Sequence, residues 1–208
     1  MKTSKKVLII TYYWPPSGGS GVQRWMYFAK YLKKLGWHPF VITVDEKYAS
    51  YAYLDKTLLS EVNDIDVIKT KTREPLKWYS LFFTGSKVKG IPQGEIKNKS
   101  FFNRVAAYIR GNFFIPDARK GWNPYALVEA VKLINNESIK IVITTGPPHS
   151  THLIGAELKS RFEIKWLADF RDPWSDIFYN KDLYQTNSAK KRNNDKEKMV
   201  LNLANAIM

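Results

Sequence analysis

The sequence contains no cysteine. That absence removes disulfide frameworks, cysteine-ligated zinc and thiol nucleophiles, and it suits a reducing compartment. No apolar run approaches the length of about 20 residues that a membrane-spanning helix needs. The start, MKTSKKVLIITYYWPP, sets basic residues before an apolar run. That run is short, bulky aromatics follow it, and no small-residue cleavage site appears, so it reads as a first strand and not as an export signal. There is no G-x-x-x-x-G-K-[ST] stretch, so no P-loop NTPase is indicated. Acidic residues are also scarce, 19 against 33 lysines and arginines, for a net charge of +14. A chain of 208 residues is one large domain or two small ones, with enough material for a real core.

The excess of positive charge asks for an anionic partner: nucleic acid, a phosphorylated metabolite or an anionic membrane. It is concentrated between Lys69 and Lys120, where twelve basic residues face only Glu74, Glu95 and Asp117. The same segment carries Trp78, Tyr79, Phe82, Phe83, Phe101, Phe102, Tyr108, Phe113 and Phe114. From about Thr72 to Lys99 the pattern is weak, which suggests an insertion or long loop. From Ser100 to Phe114 a helical stripe of Phe101, Phe102, Val105, Tyr108 and Ile109 is flanked by Lys97, Lys99, Arg104 and Arg110. Such a helix either packs on its own core or lies on an anionic bilayer with its apolar face down.

Apolar runs suited to buried parallel strands occur at Val7–Thr11, Phe40–Val44, Asp66–Lys69, Ile141–Thr145 and Ile164–Ala168. Between the first two, Val22, Trp25, Met26, Ala29, Leu32 and Leu35 mark one helix face, with Gly36 as the stop. Asn123 followed by Pro124 predicts a helix start with a capping side chain and proline at the first position, continued inward by Leu127, Val128, Val131 and Ile134. Another helix is expected after Ser150, with Ser150 as its cap, and a charged one from about Ser188 to Ala204. Strands alternating with helices over short links predict an α/β fold, a Rossmann-like doubly wound parallel sheet with ligands outside the carboxyl ends of the strands.

Four turns lie at such ends. WPPSGGSGVQR joins the first strand to its helix, where backbone N–H groups favour an anion. Gly19 and Gly21 fit the start of a dinucleotide fingerprint, but Arg24 stands where the third glycine belongs, which argues against a standard NAD site. A tight turn needing positive φ, stiffened by Pro15 and Pro16, would read the same way. TTGPPHSTH holds Gly146, His149, Ser150, Thr151 and His152. ADFRDPWS brings Asp169, Arg171 and Asp172 together just after a strand. IPDARKGWNP sets Arg119 and Lys120 before a helix start, as a phosphate contact or as a solvated basic turn.

In GGSGVQRWMYFAKYLKKLGWHPFVITV, TTGPPHSTHLIG and KWLADFRDPWS the chain resembles the N-terminal domain of GT-B glycosyltransferases, specifically the retaining family 4-like enzymes. The resemblance covers nearly the whole chain. It implies one Rossmann-like half of a two-domain enzyme: residues 1–208 as the acceptor-binding domain, a basic aromatic insertion at about 72–120, and a C-terminal donor-binding domain that is absent. The donor would be a nucleotide-sugar, bound mainly by that missing domain through two glutamates, with no cofactor and no metal. The acceptor would be a sugar or a lipid-linked acceptor, in cell-surface polysaccharide or glycolipid synthesis. The location implied is cytoplasmic, with peripheral contact on the inner face of the membrane. The final LNLANAIM reads as a helix running into a strand, so the expectation is a fragment that folds but does not turn over.

The catalytic set implied is Asp172, Arg171, Asp169 and His152. Asp172 or Asp169 would position the acceptor hydroxyl, and Arg171 would fix that carboxylate or bind an anionic acceptor. The acceptor- and phosphate-binding set is Gly18, Gly19, Ser20, Gly21, Arg24, Arg119, Lys120, His149, Ser150 and Trp174. Two departures stand out. Glu129 and Glu137 have the family's E-x7-E spacing but lie on a helix of the first domain, where nothing places a nucleotide. Many family members carry a catalytic histidine after the fifth strand, where this chain reads Asp169-Phe170-Arg171-Asp172. Rival readings are a non-catalytic module binding anions or nucleic acid, for which no nucleic-acid motif occurs, and a dehydrogenase, which fails at Arg24. A sugar epimerase fails because Tyr27–Lys30 and Tyr31–Lys34 miss the Tyr-x-x-x-Lys spacing.

Overall fold

The computed structural model describes residues 5–74 and 101–208. Most of the weakly patterned stretch at Thr72–Lys99 lies outside the described residues. The elements are β1 (Lys6–Ile10), α1 (Ser20–Lys34), β2 (His38–Val44), β3 (Asp66–Thr70), α2 (Phe101–Phe113), α3 (Asn123–Glu137), β4 (Ile141–Gly146), α4 (Ser150–Arg161), β5 (Lys165–Phe170), α5 (Asn187–Leu203) and β6 (Ala206–Ile207). Short 3₁₀ turns occupy Lys56–Val62, Lys120–Trp122 and Phe178–Leu183.

The strands form one six-stranded sheet in the order β3-β2-β1-β4-β5-β6, and every pair is parallel. This is the doubly wound Rossmann-like order. The sheet is covered on both faces, which is why β1 reads as an unbroken apolar run. Its side chains alternate between two cores. Leu8 and Ile10 join Phe40, Ile42, Trp122, Ile154 and Trp166 on one face. Val7 and Ile9 join Val22, Trp25, Met26, Ala29, Val41 and Leu58 on the other.

The predicted strands occur, with instructive shifts at their ends. β5 runs to Phe170 because Thr145 pairs with Asp169 and Gly146 with Phe170. Asp169 is therefore a strand residue and not part of the following turn. On α1 the inward face is Val22, Trp25, Met26 and Ala29, while Leu35, expected inward, is 69% exposed beyond the last turn. Gly36 ends α1 at φ +78, with Trp37 N–H donating to Leu32 C=O at 2.9 Å and Gly36 N–H to Lys33 C=O at 2.9 Å. That pairing is a Schellman motif, and only the left-handed glycine lets it close.

α3 starts at Asn123 itself, with no side-chain cap. The Asn123 amide, expected to cap its own helix, donates instead to the Ser150 carbonyl at 2.7 Å and ties the starts of α3 and α4 together. Its buried face is Ala126, Ala130 and Ile134, while Val128 points to solvent. Two alanines let the helix approach the sheet closely. Among the described residues no helix is long and apolar enough to cross a membrane.

Gly36→Ala tests the helix stop. No atom closer than the Lys5 amine at 4.0 Å would meet the added Cβ, so the cost is conformational. A loss of about 1–2 kcal/mol in urea-denaturation stability is expected, and an unchanged midpoint would contradict the motif.

Candidate functional site

β1 and β4 are neighbours, but the chain leaves them in opposite directions, to β2 on one side and to β5 on the other. A crevice opens at such a switch point, outside the carboxyl ends of the strands. Here it is an open cleft of ≈ 320 Å³ lined by Tyr13, Ser17, Gly18, Gly19, Ser20, Gly21, Val22, Ser50, Ala52, Tyr53, Pro147, Arg171 and Asp172. The turns after β1, β4 and β5 thus meet on one rim.

The three glycines of the first turn have different physical reasons. Gly19 sits at φ +103 as the N-cap of α1, with nothing within 4 Å of where a Cβ would stand and no side chain capping the helix. Gly18 makes room for the Tyr53 ring, which a Cβ would approach to 2.1 Å. Gly21 makes room for Arg171, whose Nη1 would lie 1.9 Å from a Cβ. No acidic residue occupies the first turn of α1, so no carboxylate of its own offsets its positive end at the cleft.

One buried carboxylate holds the turns together. Asp169 is fully buried and accepts hydrogen bonds from Trp25 Nε1 at 2.5 Å and Thr145 Oγ1 at 2.8 Å. Arg24 Nη2 lies 3.0 Å from its other oxygen. These partners come from α1 and β4, and the carboxylate itself from β5. Asp169, expected in the catalytic set, is therefore occupied as a structural clasp, and Arg24 is oriented by it. Asp172 is exposed and lines the cleft. Arg171 donates through Nε to Gly146 C=O at 3.1 Å and through Nη2 to Pro147 C=O at 2.6 Å. Burial pushes its pKa down, while Asp169 and Asp172 pull the other way through space.

His149, Ser150, His152 and Trp174 stand behind this wall and not in the cleft. His152 is fully buried, stacked on Phe170 at 4.5 Å, with Nδ1 2.8 Å from Thr144 Oγ1. Thr144 Oγ1 also accepts from Trp166 Nε1 at 2.9 Å. His149 stacks on Trp174 at 5.1 Å, and Trp174 Nε1 donates to Asn193 at 2.8 Å. Both imidazoles crowd Gly146, where a Cβ would lie 2.6 Å from His152 Nε2 and 2.8 Å from His149 Nδ1. Burial lowers the pKa of both, that of His152 well below the ordinary histidine value. His152 is buried and does not line the cleft. Ser150 is not the cap of α4 but its first residue. Its N–H and Oγ both donate to the Asp117 carboxylate, at 2.7 and 2.8 Å, so Asp117 caps the helix from a distant loop.

Arg119 and Lys120 do not reach the cleft. Arg119 is buried, pairs with Glu74 at 3.3 Å and donates to Ser50 C=O at 3.1 Å. Glu74 also accepts from the Tyr12 and Ser50 hydroxyls. The nearby phenols and Glu74 hold the Arg119 pKa up against burial, while burial raises that of Tyr12. Lys120 donates to Phe113 C=O at 2.9 Å and lines a separate, apolar pocket with Arg73, Gly121 and Tyr125. Glu129 and Glu137 make ion pairs with Lys132 and Lys6. Among the described residues no group of three or more histidines and carboxylates could hold a metal ion. Sequence reasoning missed Tyr13, Ser17, Ser50, Tyr53 and Pro147 as cleft residues. The signal for Ser50 and Tyr53 was their place in the turn after β2, another carboxyl end.

No protein-family model matches the sequence, and no curated protein matches it. The chain is similar to a solved structure, the crystal structure of a glycosyltransferase from Rickettsia africae ESF-5, at 18% identity and a TM-score of 0.40. The match covers 88% of this chain and 34% of that one, so the chain spans about a third of that protein's length. The fold assignment rests on the sheet order itself and not on this likeness.

The buried imidazoles make stability depend on pH with a defined sign. In the unfolded chain each binds a proton near the ordinary value of about 6.5, whereas the folded state resists it. Stability is therefore full above that value and falls as pH drops below it. His152→Asn is expected to flatten this slope in urea denaturation between pH 7 and 5, even if it lowers stability throughout. An unchanged slope would contradict the buried, neutral assignment.

Proposed function

We propose that this chain is the acceptor-side half of a nucleotide-sugar-dependent glycosyltransferase of the retaining GT-B type. The observation that carries the reading is the convergence of a glycine turn, Arg171 and Asp172 on one crevice at the switch point of the sheet. On the resemblance to GT-B enzymes, a second Rossmann-like domain holds most of the donor. The acceptor is a sugar or a lipid-linked acceptor, in the synthesis of a surface polysaccharide or glycolipid.

The chemistry assigned to the cleft is transfer at an anomeric carbon. The acceptor oxygen forms its bond to that carbon as the bond to the diphosphate breaks, and the acceptor proton passes to the leaving phosphate. Negative charge grows on the leaving group, and the uncapped start of α1 is suited to stabilise it. Asp172, exposed in the cleft, orients the acceptor hydroxyl. Retention of configuration asks for no strong base, which agrees with a wall whose histidines are buried.

The α2 helix supports a peripheral membrane contact. Ala107, Gly111 and Asn112 face inward, whereas Val105 and Tyr108 are 40% and 44% exposed. The expected apolar stripe is therefore not consumed by the core at these two positions. The side chains of Phe101 and Phe102 lie outside the described residues.

Two measurements test the reading. Expressed over its gene's full reading frame, the protein should transfer sugar from a nucleotide-sugar panel, and Asp172→Asn, by loosening the orientation of the acceptor, should lower kcat about 10²-fold. The 208 residues alone should transfer none; transfer by them, or full activity in Asp172→Asn, would overturn the assignment. In sedimentation, the chain should bind anionic vesicles over neutral ones, less so with Val105→Glu and Tyr108→Glu. Equal binding to both vesicle types, or none, would remove the membrane contact.

A further inference from the structure

Among the described residues Arg171 is a charged group with no charged partner at contact distance. Its three hydrogen bonds go to two backbone carbonyls: its own N–H bonds Gly146 C=O at 3.2 Å, and its guanidinium bonds Gly146 C=O and Pro147 C=O. Asp169 is already taken by Arg24, Trp25 and Thr145, and Asp172, the next residue, acts on Arg171 through space without forming an ion pair with it. No ion pair to Arg171 is formed among the described residues. Neutral carbonyls fix the plane of a guanidinium but leave its charge intact.

The remaining nitrogen, Nη1, lies against Gly21. Gly21 is not at positive φ, unlike Gly19, so its backbone does not require glycine. What it supplies is space: a Cβ there would lie 1.9 Å from Nη1, the free end of the Arg171 side chain, and would displace it. The two residues form one device, a fixed guanidinium laid across the start of α1. It also inverts the electrostatics of the β4 end. The Gly146 and Pro147 carbonyls would repel an anion, and Arg171 covers both.

We propose that Arg171, seated on Gly21, is the anion-binding residue of the cleft and selects a ligand bearing a phosphate or diphosphate group. This inference rests on the cleft being the ligand site of the proposed enzyme, and it adds the chemical class of what binds on this side. The same group could be carried by the nucleotide of a donor or by a phosphorylated acceptor. A planar, forked donor set suits the oxygens of either, and a neutral sugar would leave the guanidinium unpaired.

Calorimetric titration of the 208-residue chain with inorganic pyrophosphate tests the proposal directly. Binding is expected, weakening with salt, and weakened a further 10- to 100-fold, roughly, by Arg171→Gln. Gly21→Ala should weaken it by a similar factor by displacing Nη1, and Arg171→Lys should restore only part of it. Competition with a nucleoside diphosphate and with a short isoprenyl diphosphate then separates the two sources. Absence of pyrophosphate binding, or binding indifferent to Arg171→Gln, would overturn the proposal. Pyrophosphate binding without sugar transfer by the full reading frame would instead remove the transferase reading and leave this one standing.

Discussion

The arrangement of the cleft depends on one buried carboxylate. Asp169 sits at the end of β5, fully shielded from water, and a carboxylate in that position is costly unless its charge is paired and hydrogen-bonded. Its partners come from two further elements: from α1 Trp25 donates a hydrogen bond and Arg24 forms an ion pair, and from β4 Thr145 donates. Satisfying the charge therefore fixes α1 against the ends of β4 and β5. That contact in turn sets Gly21 beneath Arg171 and brings the turns after β1, β4 and β5 to one rim.

Behind the rim, the wall is stiffened by aromatic stacking. His152 lies on Phe170 and His149 on Trp174, and both crowd the backbone of Gly146. Asp117 reaches from the loop before α3 to cap α4, and Asn123 links the starts of the two helices. On the far side, the Glu74–Arg119 pair and Tyr12 hold the turn that carries Ser50 into the cleft. Asp117, Glu74 and Tyr12 are bonded within this frame, and the surface that lines the cleft is the glycine turn, Arg171, Asp172 and a few hydroxyls. A site of this kind is pre-organised, with its reacting face set on rigid strand ends.

The sheet was legible from the sequence because a parallel strand buried on both faces must be apolar throughout, and the runs at Val7, Phe40 and Ile141 are short, β-branched and apolar in that way. The convergence of the turns followed from the same rule. What the sequence hid was the pairing of polar side chains across long separations. Asp169 and Asp172 differ by three positions and look alike in ADFRDPWS, yet one ends a strand and is buried whereas the other is exposed. Arg119 looked like a free basic residue because its partner, Glu74, lies far back in the chain. Ser150 looked like a cap because nothing local marks Asp117 as the real one. His149 and His152 carry a motif's appearance, but burial against Phe170 and Trp174 is a tertiary fact. The reason for Gly21 was likewise invisible, because it is the position of another side chain and not a backbone angle.

The most direct measurement of the account is amide hydrogen exchange on Asp169→Asn beside the unaltered protein. If one carboxylate couples the three turns, protection should fall together at residues 15–24, 144–152 and 168–175 while β3, at the far edge of the sheet, keeps its own. Loss confined to the neighbours of position 169 would contradict it.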